Sequence, residues 1–236
     1  MNNVSKYNFE TIEYEENGKI AYISLNMPPA NIMTPRFFEE ISIVVKEYAL
    51  KTKMSGIIIS GSGRHFSSGA DIRQLIDLAK SPASEIIQND LADLAWYKKW
   101  REAFYCLSQI KKPVISVIRG LCIGSGFELA LASNMRVCEE NARVGLVESG
   151  FDLSPGLRGT IRMMEIVGYH KALELVLGGE ILSAREALAL GLVDIVVGKK
   201  QGHIYAQEYI IRGRQNECVY KNERSRIRVA GRSHSV

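Results

Sequence analysis

"HFSSGADI", residues 65–72, follows the strand-like run "SGIIISG" (55–61) and leads into a helical pattern. An ordinary strand-to-helix connection does not need so many small residues in a row. Small residues there let another group approach the backbone. A helix N-terminus offers that group unpaired N–H donors and partial positive charge. A second stretch repeats the plan. "GLCIGSGFELALAS" (120–133) follows the apolar run "VISVI" (114–118), is rich in glycine and opens a helix. The two loops are Ser67-Ser68-Gly69-Ala70-Asp71 and Gly124-Ser125-Gly126-Phe127-Glu128. Facing one another, they would form an oxyanion hole, with two backbone donors on one carbonyl oxygen.

The rest of the chain alternates strand and helix signals. "FETIEYEENGKIAYISLN" (9–26) reads as a hairpin around Asn17-Gly18, a pair that tolerates positive φ. Pro35 is placed to open a helix, with Phe37, Phe38, Ile41, Val44, Val45 and Tyr48 at helical spacing. The run Ile57–Ile59 has the continuous apolar character of a strand buried on both faces. A helix is expected from about Asp71. An amphipathic one is expected over 84–110, with Ile87, Leu91, Leu94, Tyr97, Trp100, Phe104 and Leu107 on one side. "MRVC" and "ARVGLVE" read as strands, while "GTIRMMEIVG", "YHKALELVLGG" and "SAREALALG" read as helices. Ser183 and Glu186 suit a capping box, and "LVDIVV" is a late strand. The alternation predicts an α/β layer architecture. Beyond about residue 198 the pattern weakens. One further helix is expected in "YAQEYIIRGR", and the remainder is left unassigned.

At 236 residues, with 46% apolar and 24% charged content, the chain reads as a globular protein able to bury a large core. No apolar run reaches the roughly 18–20 residues that cross a bilayer. The polar N-terminus shows no secretory pattern, and Cys106, Cys122, Cys138 and Cys218 stand far apart. These features predict a cytoplasmic protein with reduced thiols, and neither a zinc site nor a disulfide frame. The net charge of +4 sits in the tail. From Lys199 onward nine Lys/Arg face three Asp/Glu, so the rest of the chain is close to neutral. No nucleic-acid module accompanies the basic tail.

Three motifs in order, "HFSSGADI", "GLCIGSGFELALASNMRV" and "GLVESGFDLSPGLRGTIRM", resemble the signatures of the crotonase, or enoyl-CoA hydratase/isomerase, superfamily. The likeness runs from about residue 10 to about 197 and includes "SAREALALGLVDIVV". It implies a spiral of repeated ββα units over 1–197 with helical C-terminal elements, and leaves 198–236 as an atypical segment. It implies an acyl-CoA thioester substrate and assembly as a trimer or a dimer of trimers. No nucleic-acid or membrane partner is implied. No metal or redox cofactor is implied either, because CoA is the substrate's handle.

Carried onto this chain, the resemblance assigns the oxyanion donors to the N–H groups of Ala70 and Ser125. Ser125 stands where the family generally has glycine, but its N–H remains available. Gly69 and Gly124 keep the approach to those donors open. Glu128 would help activate the attacking water and Glu148 would protonate C2. A lone glutamate in a helix's first turn is usually a dipole-favoured surface residue. It is the joint placement in matching motifs that singles these two out. Ser68 and Ile72 match adenine-binding backbone positions, Arg73 is placed to meet nucleotide phosphates, and Gly156 matches a glycine near the reacting acyl group. Asp71 reads as a helix cap and His65 as structural. "GLRG" (156–159) departs from the family's run of small residues, so Leu157 and Arg158 are expected to reshape the acyl pocket. The implied reaction is reversible hydration of an α,β-unsaturated acyl-CoA. Enoyl-CoA isomerisation, hydration of a cyclic dienoyl-CoA, and a non-catalytic acyl-CoA-binding or scaffold role stand as alternatives.

Overall fold

The computed structural model describes residues 4–74 and 95–212. In chain order its elements are β1 (Ser5–Asn8), β2 (Ile12–Asn17), β3 (Ile20–Leu25), α1 (Pro35–Ile43), β4 (Gly56–Gly61), α2 (Ala95–Ser108), β5 (Val114–Ile118), β6 (Leu121–Ile123) and α3 (Ser125–Leu131). There follow β7 (Met135–Glu139), β8 (Arg143–Gly145), α4 (Gly159–Val167), α5 (Tyr169–Gly178), β9 (Leu182–Ser183), α6 (Ala184–Ala189), β10 (Ile195–Val197) and α7 (Gly202–Arg212). One sheet has the order β1-β2-β3-β4-β5-β7-β10, antiparallel up to β3 and parallel beyond it. The other has the order β6-β8-β9.

The register makes the arrangement a spiral. Strand β5 lies in the large sheet, β6 in the small one, and α3 follows; β7 and β8 repeat the step. Earlier turns do the same with single bridges. Ser67 pairs in parallel with Cys122, and Met33 pairs in parallel with Ala70. Each second strand therefore stacks beside that of the next turn. Every junction between a second strand and its helix falls on one side of the molecule, which brings 65–72 and 120–128 together.

The apolar runs split between two faces, as a period of two requires. Ile57, Ile59, Val114 and Ile118 join the main core with Phe38, Phe104 and Phe127. Ile58, Ile115 and Val117 meet Ala206 and Ile210 of α7 on the other face. The helix beyond residue 198 thus covers the sheet. A Cβ added to Gly56 would lie 2.8 Å from Ile210, so the strand is shaped to that helix.

Several local expectations need adjustment. The hairpin turns on Gly18 and Lys19, because Asn17 pairs with Ile20 and only Gly18 has positive φ. Helix α1, capped by the Thr34 side chain, widens into a π-helical stretch at Val44–Ala49. The glycine-rich turn 120–126 contains β6. The capping box at Ser183 and Glu186 is formed. Of the helix expected over 84–110, residues 84–94 lie outside the described residues, as do the Trp96 side chain and 213–236.

Candidate active site

Both loops leave a backbone donor unspent. In the Met33–Ala70 bridge, Met33 N–H donates to Gly69 O and Asp71 N–H donates to Met33 O. These bonds pass over Ala70 and turn its own N–H away from the pairing. Ser125 is the first residue of α3, where the N–H has no carbonyl of the helix to bond; the first intrahelical bonds run from Phe127 and Glu128 to Gly124 O. Among the described residues neither N–H has a partner. The loops touch one residue before each donor: a Cβ on Gly69 would lie 3.0 Å from Ile123 O and 3.7 Å from Gly124 Cα. Gly69 also has φ +91°, where a side chain would be strained.

The two carboxylates sit over the same space. Glu128 is 1% exposed, and its Oε1 accepts from Leu157 N at 2.7 Å and Gly159 N at 2.9 Å. Glycine at 159 is forced by this contact, because a Cβ there would be 2.6 Å from Glu128 Cγ. Burial and the charge of Glu148 push the Glu128 carboxyl from its ordinary 4.5 up to about 7, against the pull of those two N–H groups and of Arg162. Glu148 opens a short 3-10 turn, Glu148–Phe151. Burial raises it too, and among the described residues its buried Oε2 has no hydrogen-bond partner.

A cavity of about 680 Å³ joins these groups. The ten residues assigned to catalysis or substrate binding in the sequence all line it: Ala70, Ser125, Glu128 and Glu148, with Ser68, Gly69, Ile72, Arg73, Gly124 and Gly156. Phe38, Trp100, Tyr97 and Leu157 contribute aromatic and apolar lining. Arg158 departs from expectation. It takes φ +74° ahead of α4, and its guanidinium lies 5.2 Å from the Tyr105 ring centroid, outside the cavity lining. Asp71 Oδ1 accepts from Gln74 N, the cap expected of it. His65 Nδ1 accepts from Leu121 N at 3.0 Å, a bond that joins one loop to the other. Among the described residues no group of three His, Cys, Asp or Glu could hold a metal.

Residues that fix the site were missed in the sequence. Asn31 is 2% exposed and donates Nδ2 to Ser62 O, His65 O and Phe66 O, while its Oδ1 accepts from Met27 N. The Ser67 hydroxyl donates to Asn31 O and accepts from Gly69 N. Together they hold the first loop. The signal "MPPAN" reads as a chain break, and nothing local says that its asparagine reaches residues 62–66. Tyr97 is another. Its hydroxyl lies 1.4 Å from where a Cβ on Gly156 would sit, so glycine at 156 makes room for a tyrosine far away in the chain.

The sequence profile described as "Enoyl-CoA hydratase/isomerase" matches residues 15–214. The chain is 36% identical over 176 residues to a probable enoyl-CoA hydratase of Bacillus subtilis, covering 75% of this chain and 65% of that one. It is 30% identical over 185 residues to the short-chain-enoyl-CoA hydratase of Clostridium acetobutylicum, covering 78% and 67%. Among solved structures, the enoyl-CoA hydratase of Geobacillus kaustophilus superposes with a TM-score of 0.79 at 23% identity, over 89% of this chain and 76% of that one. The chain therefore spans about two thirds of the length of these curated relatives. The spiral, the stacked second strands and the extent of these matches place it in the crotonase fold, and the chain belongs to the enoyl-CoA hydratase/isomerase family.

Proposed function

We propose that the protein is an enoyl-CoA hydratase that adds water reversibly across the α,β double bond of an acyl-CoA thioester. The observation that carries this reading is the meeting, in one cavity, of two backbone donors without partners and two carboxyls with raised proton affinity. The thioester oxygen would sit between the N–H groups of Ala70 and Ser125. As water attacks C3, its proton passes to Glu128 and a C3–O bond forms. The π electrons move toward the thioester oxygen as an enolate, which the two donors stabilise, each typically by about 2.7–4 kcal/mol. Glu148 then gives its proton to C2. Glu128 ends protonated and Glu148 ionised, and proton exchange through solvent restores them. Two mutually repelling, buried carboxyls suit this exchange. Just below neutral pH the pair keeps a proton that free glutamates would have released, and the step starts from the state with that proton on Glu148 and Glu128 ionised.

Arg73, an exposed residue of the cavity lining, would meet the CoA phosphates, and Ser68 and Ile72 would flank the adenine. The chemistry needs no metal or redox cofactor. Assembly as a trimer or paired trimers is part of the proposal. The names of the hydratase relatives support this choice within the family, since an isomerase can work with a single carboxylate.

The test is incubation with crotonyl-CoA, following loss of the conjugated thioester absorbance and identifying 3-hydroxybutyryl-CoA by mass. Hydration is expected. A 3-enoyl-CoA that rearranges without water uptake, with crotonyl-CoA untouched, would replace the reading by isomerisation. Tight CoA binding without turnover on an acyl panel would replace it by a binding role.

A further inference from the structure

Arg162 of α4 is 8% exposed and lies outside the lining of the catalytic cavity. Its Nη1 donates to Leu157 O at 2.7 Å and its Nη2 to Phe104 O at 3.1 Å. Leu157 is one of the two residues whose N–H holds Glu128 Oε1. Phe104 belongs to α2, which supplies Tyr97 and Trp100 to the cavity. One guanidinium thus ties the turn that grips Glu128 to the helix that walls the cavity.

A buried guanidinium is costly unless it is both hydrogen-bonded and near opposite charge. The negative charges that act on Arg162 are Glu128, foremost, and Glu165, with Arg158 opposing them. Conversely, the charges acting on Glu128 are that of Glu148, of like sign, and that of Arg162, of opposite sign. The two N–H bonds occupy Oε1 and leave Oε2 for the cavity.

We propose that Arg162 is a positioning residue for the hydration: it clamps the 157–159 turn so that Glu128 stays pinned by Oε1, and it supplies the countercharge that ionised Glu128 needs beside Glu148. This rests on the hydratase reading, so the test has one readout that needs no turnover. Protein labelled with carboxyl-13C glutamate is titrated by NMR, with the Glu128 signal assigned by its loss in Glu128→Gln. The pH dependence of kcat/KM for crotonyl-CoA is measured alongside. In Arg162→Met both midpoints should move up by about one pH unit, with kcat falling more than KM changes. Arg162→Lys keeps the charge but cannot span both carbonyls. Its midpoints should stay within about 0.3 units of wild type, with kcat only partly recovered. An unmoved Glu128 titration in Arg162→Met overturns the proposal, as does a shift in Arg162→Lys as large as that in Arg162→Met. Should Arg162→Met fail to fold, Arg162→Lys decides alone: a stable midpoint with lowered kcat supports the proposal, and a full-unit shift refutes it. If the wild type does not hydrate crotonyl-CoA, the hydratase reading fails, while the NMR titration still decides the countercharge role.

Discussion

Glu128 projects from the first turn of α3 with one oxygen held by two backbone N–H groups. Glu148 opens a four-residue 3-10 turn and has a buried oxygen without a hydrogen-bond partner among the described residues. Each carboxyl keeps one oxygen for a ligand or water, but Glu128 is held through the other by donors from a turn about thirty residues on, whereas the backbone groups acting on Glu148 are its own and that of Val147. A base that must meet a water in one place profits from being pinned. An acid that must pass its proton to a changing carbon profits from an unsatisfied oxygen. The difference lies in how backbone donors are spent, since the two side chains are chemically identical.

The largest expected effect breaks the comparison outright. Glu128→Gln should lower kcat for crotonyl-CoA by roughly 10²–10⁴-fold, and Glu148→Gln by about 10²-fold or more. Steady-state kinetics at pH 8 checks both. A variant of either glutamate with wild-type kcat would remove the two-carboxyl mechanism. The pair should also separate in stability. Glu128 rises from 4.5 to about 7 on folding, so its contribution to stability is fully present below pH 4.5 and is lost as pH rises through about 7. The loss amounts to about 3 kcal/mol. Denaturant unfolding of wild type against Glu128→Gln should therefore diverge by about that much between acid and alkaline pH, with the variant relatively more stable at pH 8.

The same shift sharpens the comparison kinetically. If ionised Glu128 is the base, kcat/KM should fall about tenfold per pH unit below its midpoint near pH 7. Asn31→Ala tests the frame around the pair. It leaves three carbonyls and the Met27 N–H without their partner in a buried place and should cost about 3 kcal/mol in urea unfolding. Activity should fall as well, because the loop that carries the Ala70 donor loosens. The smallest effect is expected in the aromatic lining. Gly156→Ala puts a methyl against the Tyr97 hydroxyl and should cost about 1–3 kcal/mol. Adding Tyr97→Phe should restore part of the thermal midpoint, since the nearest remaining ring atom would be 2.7 Å from that methyl.

Much of this was legible locally. The alternation of Ile57–Ile59 and of 114–118 follows from apolar side chains that need partners on both faces of a sheet. The Ser183 capping box is a four-residue matter. The glycines at 69 and 124 announce a close approach without naming what approaches. The illegible part consists of pairs far apart in sequence: Asn31 with 62–66, Tyr97 with Gly156, Arg162 with Phe104, and Ile210 with Gly56. Periodicity carries no information about such pairs, because each residue satisfies its local pattern equally well without its partner. The helix expected in "YAQEYIIRGR" is formed, but nothing in the pattern beyond residue 198 said that its Ala206 and Ile210 cover one face of the large sheet.

By itself the sequence determined the kinds of element, the two small-residue loops that open helices, and the motifs that mark the family. It did so because strand and helix periods, caps and glycine turns are consequences of a few neighbouring residues. Only the tertiary structure decided that Glu128 is held by a distant turn, that Arg158 turns from the cavity, and that Arg162 bonds the turn that holds Glu128. Proton affinity and donor direction depend on what is buried beside a group. In this spiral those neighbours come from different turns of the chain.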